Sequence, residues 1–88
     1  MKTEFLKAFY KDLDKIDGQN IKDDIESAIK NVEDARTFSD IKGFKKLKGY
    51  KIAYRIKIGN FRIGLIIEKN IVEFSRVVHR KDIYKVFP

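Results

Sequence analysis

Apolar residues in the first part of the chain recur at helical spacing and predict two amphipathic helices. The first helix would have one apolar face formed by residues four, four and three apart, namely Phe5, Phe9, Leu13 and Ile16. It would end at Asp17-Gly18, because glycine commonly follows the last helical residue. The second helix, from about Asn20, repeats the spacing with Ile21, Ile25, Ile29 and Val32.

The apolar period changes to two after residue 49, which predicts strands. The segment YKIAYRIKI would place alternate residues on one face, namely Tyr50, Ile52, Tyr54, Ile56 and Ile58. Gly59-Asn60 is typical of a two-residue hairpin turn, and FRIGLII would continue the pattern with Phe61, Ile63, Leu65 and Ile67. Lys69-Asn70 is a weaker turn signal before a third strand, IVEFSRVV, and residues 2–5 weakly indicate a short first strand. Two helices would therefore cover one face of an antiparallel sheet and leave the other face free.

Two-residue turns would fix the register of the three strands. Lys57 would lie opposite Arg62, and Arg55 opposite Gly64. Across the second turn Arg62 would lie opposite Val77, and Gly64 opposite Ser75. The third strand would then contribute Ser75, Val77 and His79 to the free face. The helix-covered face would hold Tyr54, Ile56, Ile63, Leu65, Val72 and Phe74. Because strict alternation would turn Arg76 and Arg80 to the apolar side, we expect a bulge near Val77-Val78.

The predicted pair of Lys57 and Arg62 indicates an anion-binding site. Like charges directly opposite one another destabilise a sheet, although two exposed side chains can also splay into water at a cost of a few tenths of a kcal/mol. Arg55, Arg80 and His79 would converge on the same region, which favours the anion site. Gly64 would leave a shallow gap beside Arg55 for a ligand, or would simply be tolerated at a half-exposed position.

The distribution of charge supports a polyanion or an acidic protein as partner. The 88 residues, expected to form a single domain over 1–88, carry a net charge of +7. Residues 1–44 hold eight Lys or Arg against ten Asp or Glu, a net charge of −2, whereas residues 45–88 hold twelve against three, a net charge of +9. The absence of cysteine, of an apolar run long enough for a membrane span and of a secretory signal leads us to expect a cytoplasmic protein.

Four segments give the chain a resemblance to a known family over essentially its whole length: FYKDLDKI, KKLKGY, YRIKIGNFRIGLII and RVVHRKDIY. Their order and spacing are similar to those of the RelE/ParE superfamily of toxins from toxin–antitoxin pairs, and specifically of its RelE branch. The resemblance implies an α+β fold in which a short N-terminal strand and two antiparallel helices precede the meander. The first strand would join a mostly antiparallel four-stranded sheet of order β-α-α-β-β-β along the chain.

The RelE branch implies a ribosome-dependent mRNA endonuclease that cleaves message in the A site by attack of a ribose 2′-OH, with neither a metal ion nor another cofactor. The candidate catalytic residues that match the family's motifs are Arg55, Lys57, Arg62, His79, Arg80 and Tyr84. Arg62 and Arg80 would stabilise the charge growing on the phosphate, since guanidinium stays protonated and directs fixed donors at phosphate oxygens. Lys57 and His79 are candidate acids or bases, and Tyr84 would stack on a base or orient the 2′-OH.

Further basic residues are candidates for RNA binding, namely Lys46, Lys48, Lys51, Arg76 and Lys81. The sequence departs from the family in having Phe61 in place of the tyrosine of a Tyr-Arg motif, and in a short spacing from Arg80 to Tyr84. No acidic general base is evident. The single histidine, the absence of cysteine and the absence of a carboxylate cluster on the predicted basic face disfavour metal catalysis.

Two other functions are compatible with the same fold. A ParE-like toxin would inhibit DNA gyrase by binding and would cleave no RNA, and a plain RNA-binding module would have the basic surface without the catalytic geometry. The family implies a cognate antitoxin whose acidic or amphipathic segment wraps the domain. Val86 and Phe87 would either contact that antitoxin or close the core, and for Phe87 we expect the core.

Overall fold

The computed structural model describes all residues from 1 to 88 and contains both predicted helices and the predicted meander. Helix α1 spans Lys7–Lys15 and helix α2 spans Gln19–Asp34, close to the predicted limits. The strands, in chain order, are β1 Lys2–Phe5, β2 Phe44–Lys46, β3 Ala53–Ile58, β4 Phe61–Glu68 and β5 Ile71–His79. A 3-10 turn at Phe38–Asp40 precedes β2, and a one-turn helix α3 at Ile83–Val86 follows β5.

The sheet has five strands in the order β1-β5-β4-β3-β2. Strand β1 runs parallel to β5, and the other neighbours are antiparallel. The predicted α+β fold with a mostly antiparallel sheet is therefore confirmed, and the sheet has one strand more than the four predicted. The additional strand is β2, whose three residues are too few to show a clear period in sequence. Strand β3 begins at Ala53, so the prediction that Tyr50 and Ile52 belong to it was wrong, and both side chains are exposed.

Both predicted hairpin turns contain two residues. Lys69 and Asn70 adopt φ values of 52° and 63°, as a two-residue turn that matches the strand twist requires. Gly59 has φ of 54° in the first turn, which glycine adopts without steric cost. The predicted register of β3 on β4 is confirmed, with Lys57 opposite Arg62.

A bulge changes the register of β5 earlier than predicted. Leu65 lies opposite Phe74, as the turn predicts, but Gly64 lies opposite Arg76, which leaves Ser75 as the extra residue. The predicted pairs of Arg62 with Val77 and of Gly64 with Ser75 were therefore wrong, because every partner beyond the bulge moves by one residue. The bulge lies at Ser75 and not near Val77-Val78.

Helices α1 and α2 cover one face of the sheet and enclose the main core. Its fully buried side chains include Phe9 and Ile25 from the helices and Ile63 and Phe74 from the sheet. Phe5 stacks on Phe74 with ring centroids 4.8 Å apart, which holds β1 on the end of the sheet. The residues predicted for the helix-covered face lie in this core or pack against it.

The opposite face is partly covered by the C-terminal segment, which the prediction of a free face did not include. Ile83 and Phe87 form a second small core with Leu47 and Ala53. A Cβ atom at Gly64 would lie 2.6 Å from the ring of Phe87. The predicted ligand gap at Gly64 is thus filled by Phe87, whose expected role in the core is confirmed. None of the helices is long and apolar enough to cross a membrane.

Candidate functional site

Basic side chains from three adjacent strands share the face that α3 only partly covers. Lys57 and Arg55 on β3 face the same way as Arg62 on β4, because Lys57 pairs with Arg62 and side chains alternate along each strand. Lys45 on β2 pairs with Arg55 and so lies on this face too. We call Lys45, Arg55, Lys57 and Arg62 the basic face.

Arg62 is held by the hairpin turn beside it. Its Nη1 donates hydrogen bonds to the carbonyl oxygens of Gly59, at 2.8 Å, and of Phe61, at 2.9 Å. The side chain is half-buried. Its Nε and Nη2 donors form no hydrogen bond within the protein, so the guanidinium is oriented by one nitrogen and can donate with the others.

Arg55 is held in the same manner by the loop before β2. Its Nη1 donates to the carbonyl oxygen of Gly43 at 2.5 Å, and the same oxygen accepts the backbone N–H of Lys57 at 3.1 Å. Gly43 has φ of +76°, and a Cβ atom there would lie 2.9 Å from the carbonyl oxygen of Lys57. The close approach of this loop to β3 therefore requires glycine.

Neutral carbonyls hold both arginines, so their positive charge is not compensated within the chain. The ion pairs of the protein join Arg76 to Asp12 and Lys85 to Asp82, and no member of the basic face has a carboxylate within 4.0 Å. Fixed, uncompensated guanidinium donors beside a lysine form a site suited to phosphate.

Three further candidate residues lie on the segment that leaves β5 at the same end of the sheet. The backbone N–H of Arg80 donates to the carbonyl oxygen of Asn60 at 2.7 Å, which ties this segment to the β3–β4 turn. Arg80 and Lys81 are exposed, and Tyr84 on α3 is 68% exposed. The structure thus brings these residues near the turn that holds Arg62, on a segment that crosses to the face covered by α3.

His79 lies on the other side of the sheet, against the prediction. Because of the bulge it pairs with Phe61, which packs against the main core. His79 is also two residues after the buried Val77 on the same strand, so the two side chains point to the same face. Its ring meets Phe61 edge-on with centroids 5.7 Å apart. It lines a cavity of about 400 Å³ shared with the end of α1. The prediction that Ser75, Val77 and His79 share the free face was therefore wrong for Val77 and His79, whereas Ser75 follows the buried Phe74 and donates to Glu73 on the opposite face.

Arg76, predicted to bind RNA, is paired within the protein. Its Nε and Nη2 donate to the two carboxylate oxygens of Asp12 at 2.7 and 2.9 Å. The hydrogen bond to Asp12, aided by the attraction between the charges, raises the pKa of Arg76 above its ordinary value despite desolvation. Asp12 also accepts the N–H of Val77 at 3.1 Å, so this pair stabilises β5 beyond the bulge.

The three lysines between Lys46 and Lys51 that were predicted to bind RNA lie outside the basic face. Lys46 pairs with Tyr54, whose side chain packs against the main core, and so does not belong to the basic face. Lys48 and Lys51 are exposed in the connection from β2 to β3, at the opposite end of β3 from Lys57. The sequence-based prediction missed Lys45. No periodic signal in the sequence identified it, because the three residues of β2 are two lysines and a phenylalanine without alternation.

The comparisons with known proteins agree with the fold and point to one family. The family model of the ParE toxin of type II toxin–antitoxin system, parDE, matches residues 3–84. Toxin RelE3 of Methanocaldococcus jannaschii is 42% identical to this chain over 89 residues, and the match covers 100% of both chains.

Solved structures show the same architecture. The toxin fold in the RelB-RelE antitoxin–toxin complex from Methanococcus jannaschii matches with a TM-score of 0.80 and 38% identity, covering 97% of this chain and 99% of that one. The archaeal RelE-RelB complex from Pyrococcus horikoshii OT3 matches with a TM-score of 0.72 and 14% identity, covering 90% and 93% of the two chains. At that identity the second match supports the fold alone.

Proposed function

The chain is a RelE-like member of the ParE toxin family of type II toxin–antitoxin systems, and we propose that it acts by cleaving messenger RNA on the ribosome. The observation that carries the proposal is the basic face, where Lys57 lies beside two arginines, Arg55 and Arg62, that are anchored by carbonyl oxygens. A polyanion is the ligand that removes the repulsion within this pair.

RNA supplies its own nucleophile, which makes the proposed reaction possible on a face without a catalytic carboxylate. The 2′-OH oxygen attacks the adjacent 3′ phosphorus, the bond from phosphorus to the 5′ oxygen breaks, and a 2′,3′-cyclic phosphate and a 5′-OH result. The nucleophile must lose a proton and the leaving oxygen must gain one. The basic face therefore needs to orient the phosphate, stabilise its growing charge, accept the proton of the 2′-OH and supply a proton to the leaving 5′ oxygen.

We assign these tasks according to position. Arg62 donates its free Nε and Nη2 groups to non-bridging phosphate oxygens, and Arg55 extends the same charged surface along β3. Lys57, directly opposite Arg62, is assigned to the 2′-OH. Arg80 approaches from the β5–α3 connection, and the exposed ring of Tyr84 offers a surface for base stacking.

A toeprint of an mRNA in a purified translation system tests the proposal. Wild type is compared with Arg62→Ala and with Lys30→Ala, which removes an exposed cation from α2 on the other side of the sheet. We expect discrete cuts in ribosome-bound message that persist in Lys30→Ala and vanish in Arg62→Ala. Intact message with wild-type protein, or cuts that persist without Arg62, would refute it.

Inhibition of DNA gyrase is the second candidate, because the family model that matches residues 3–84 is that of the ParE toxin. A supercoiling assay with purified gyrase separates the two functions. Inhibition of supercoiling by a protein that leaves message intact would establish the second candidate in place of the first.

A cognate antitoxin is the protein partner that we propose for this chain. Related toxins have been solved as RelB-RelE complexes. An acidic segment of the antitoxin would complement the charge of the basic face and would block access of RNA to it. We propose that the protein acts in the cytoplasm, where ribosome-bound message is found. Loss of antitoxin binding on charge reversal at Lys57, in a pull-down of the co-expressed pair, would support this arrangement, and undiminished binding would contradict it.

A further inference from the structure

The side chain of His79 closes the first turn of the segment that carries Arg80 and Tyr84. Its Nδ1 accepts a hydrogen bond from the backbone N–H of Lys81 at 3.1 Å. Its own carbonyl oxygen accepts the N–H of Asp82 at 2.8 Å. With the bond from Arg80 to Asn60, all three N–H groups of residues 80–82 are satisfied, and His79 supplies two of the three acceptors.

The position of His79 separates it from the reacting phosphate. Its ring lies against Phe61 on the α1 side of the sheet, whereas Arg62 and Lys57 project from the other side. An accepting Nδ1 also defines the neutral tautomer, with the proton on Nε2. A protonated ring would present a donor to the N–H of Lys81 and would break the bond.

We propose that His79 is a positioning residue that holds the 80–82 connection, and through it Arg80 and Tyr84, in place beside the basic face. This inference rests on the proposed endonuclease function for its effect on rate, but the hydrogen bond itself can be tested without any RNA. His79 touches neither substrate nor reacting atoms in this arrangement.

Two substitutions at His79 distinguish the effect of the Nδ1 acceptor from that of the aromatic contact with Phe61. His79→Asn keeps an acceptor at the position of Nδ1 and has no ionisable group. His79→Phe keeps the aromatic contact with Phe61 and has no acceptor. We expect His79→Asn to cleave within about threefold of the wild-type rate, and His79→Phe to lose about three- to tenfold in kcat, the range that one hydrogen bond supplies.

The pH profile adds a readout that a purely structural role would not move. Cleavage by wild type should decline toward acidic pH more than cleavage by His79→Asn, because an Asn acceptor cannot be protonated. The charged groups around the ring are the same in both proteins. Those that line its cavity are Asp12 and Lys15 from α1, Asp17 just after that helix and Asp82 from the connection. An inactive His79→Asn protein with intact fold would show that His79 is the acid or base and would overturn the proposal.

Amide exchange and chemical shifts of Lys81, followed by NMR, test the hydrogen bond independently of cleavage. At a single pH the amide of Lys81 should be protected from exchange in wild type and in His79→Asn, and should lose that protection in His79→Phe. Equal exchange in all of these would overturn the proposal even if the protein cleaves RNA. Conversely, the expected amide pattern in a protein that cuts no message would leave the positioning role standing and refute only the nuclease.

Discussion

Replacing Asp12 with alanine tests whether the buried ion pair fixes the far end of β5. Asp12 is 6% exposed and accepts three hydrogen bonds, two from Arg76 and one from the buried N–H of Val77. Its removal leaves a partly buried cation and an unsatisfied backbone donor. Breaking a buried pair by removing one partner costs about 3–5 kcal/mol, and an unsatisfied buried donor about 1–3 kcal/mol.

The lower part of that range applies here because the Arg76 side chain is 28% exposed and water can reach it. We expect Asp12→Ala to lower the free energy of unfolding by about 3 kcal/mol. For a domain of this size that corresponds to a fall in Tm of about 12–24 °C. Urea denaturation followed by circular dichroism measures the change, and unchanged m-values would show that the unfolded state is not altered.

A double-mutant cycle with Arg76→Met isolates the pair. Asp12→Ala and Arg76→Met should each destabilise the protein, and the double variant should lose clearly less than the sum, because no unpaired charge remains. The pKa of Arg76 is raised in the folded state. The stabilisation of the folded protein by the charged Arg76 is therefore complete at any pH below the ordinary pKa of arginine, and it is lost only as the pH rises above that pKa. The difference between wild type and Asp12→Ala should therefore not change between about pH 7 and about pH 10. A loss under about 1 kcal/mol for Asp12→Ala would refute the assignment of the pair to stability.

Three further substitutions test the two faces of the sheet. Gly64→Ala should destabilise the protein by about 1–3 kcal/mol in urea denaturation, because its Cβ would overlap the Phe87 ring, and the penalty should shrink in a Phe87→Ala background. Lys57→Gln should raise the free energy of unfolding by a few tenths of a kcal/mol, since it removes a like-charge pair, and should abolish cleavage in the toeprint assay. A stable variant that still cleaves message would contradict the assignment of Lys57 to the 2′-OH. Lys45→Ala should reduce the slope of log K against log salt concentration for binding of single-stranded RNA by about 0.7, measured by fluorescence anisotropy, whereas Lys46→Ala on the opposite face should leave it unchanged. Equal slopes for the two variants would contradict the alternation of side chains in β2.

Local patterns predicted the parts of the fold whose geometry depends on neighbouring residues. The helical spacing of Phe9 and Leu13 identified the buried face of α1, because residues three and four apart share a face, whereas Phe5 of the predicted face lies in β1 and Ile16 just after the helix. The Gly59-Asn60 turn placed Lys57 opposite Arg62, because a two-residue loop leaves one register for the strands it joins. This pair is the centre of the basic face, so the core of the candidate site was readable from sequence.

Contacts between distant segments decided what the sequence patterns could not. The bulge at Ser75, which moves His79 to the helix side, is accompanied by hydrogen bonds from β5 to Asp12, 65 residues before Val77. Alternation alone cannot show where an extra residue enters a strand, since a one-residue shift reverses every later side chain.

The sequence by itself determined the two amphipathic helices, the hairpin registers near their turns and the concentration of positive charge in the second half. Only the tertiary structure decided that β2 adds Lys45 to the basic face, that Arg76 belongs to an ion pair and that Phe87 fills the space above Gly64. The physical reason is range. Periodicity and turn chemistry act over a few residues, whereas the partner that satisfies a charge or fills a gap comes from wherever the fold brings the chain back.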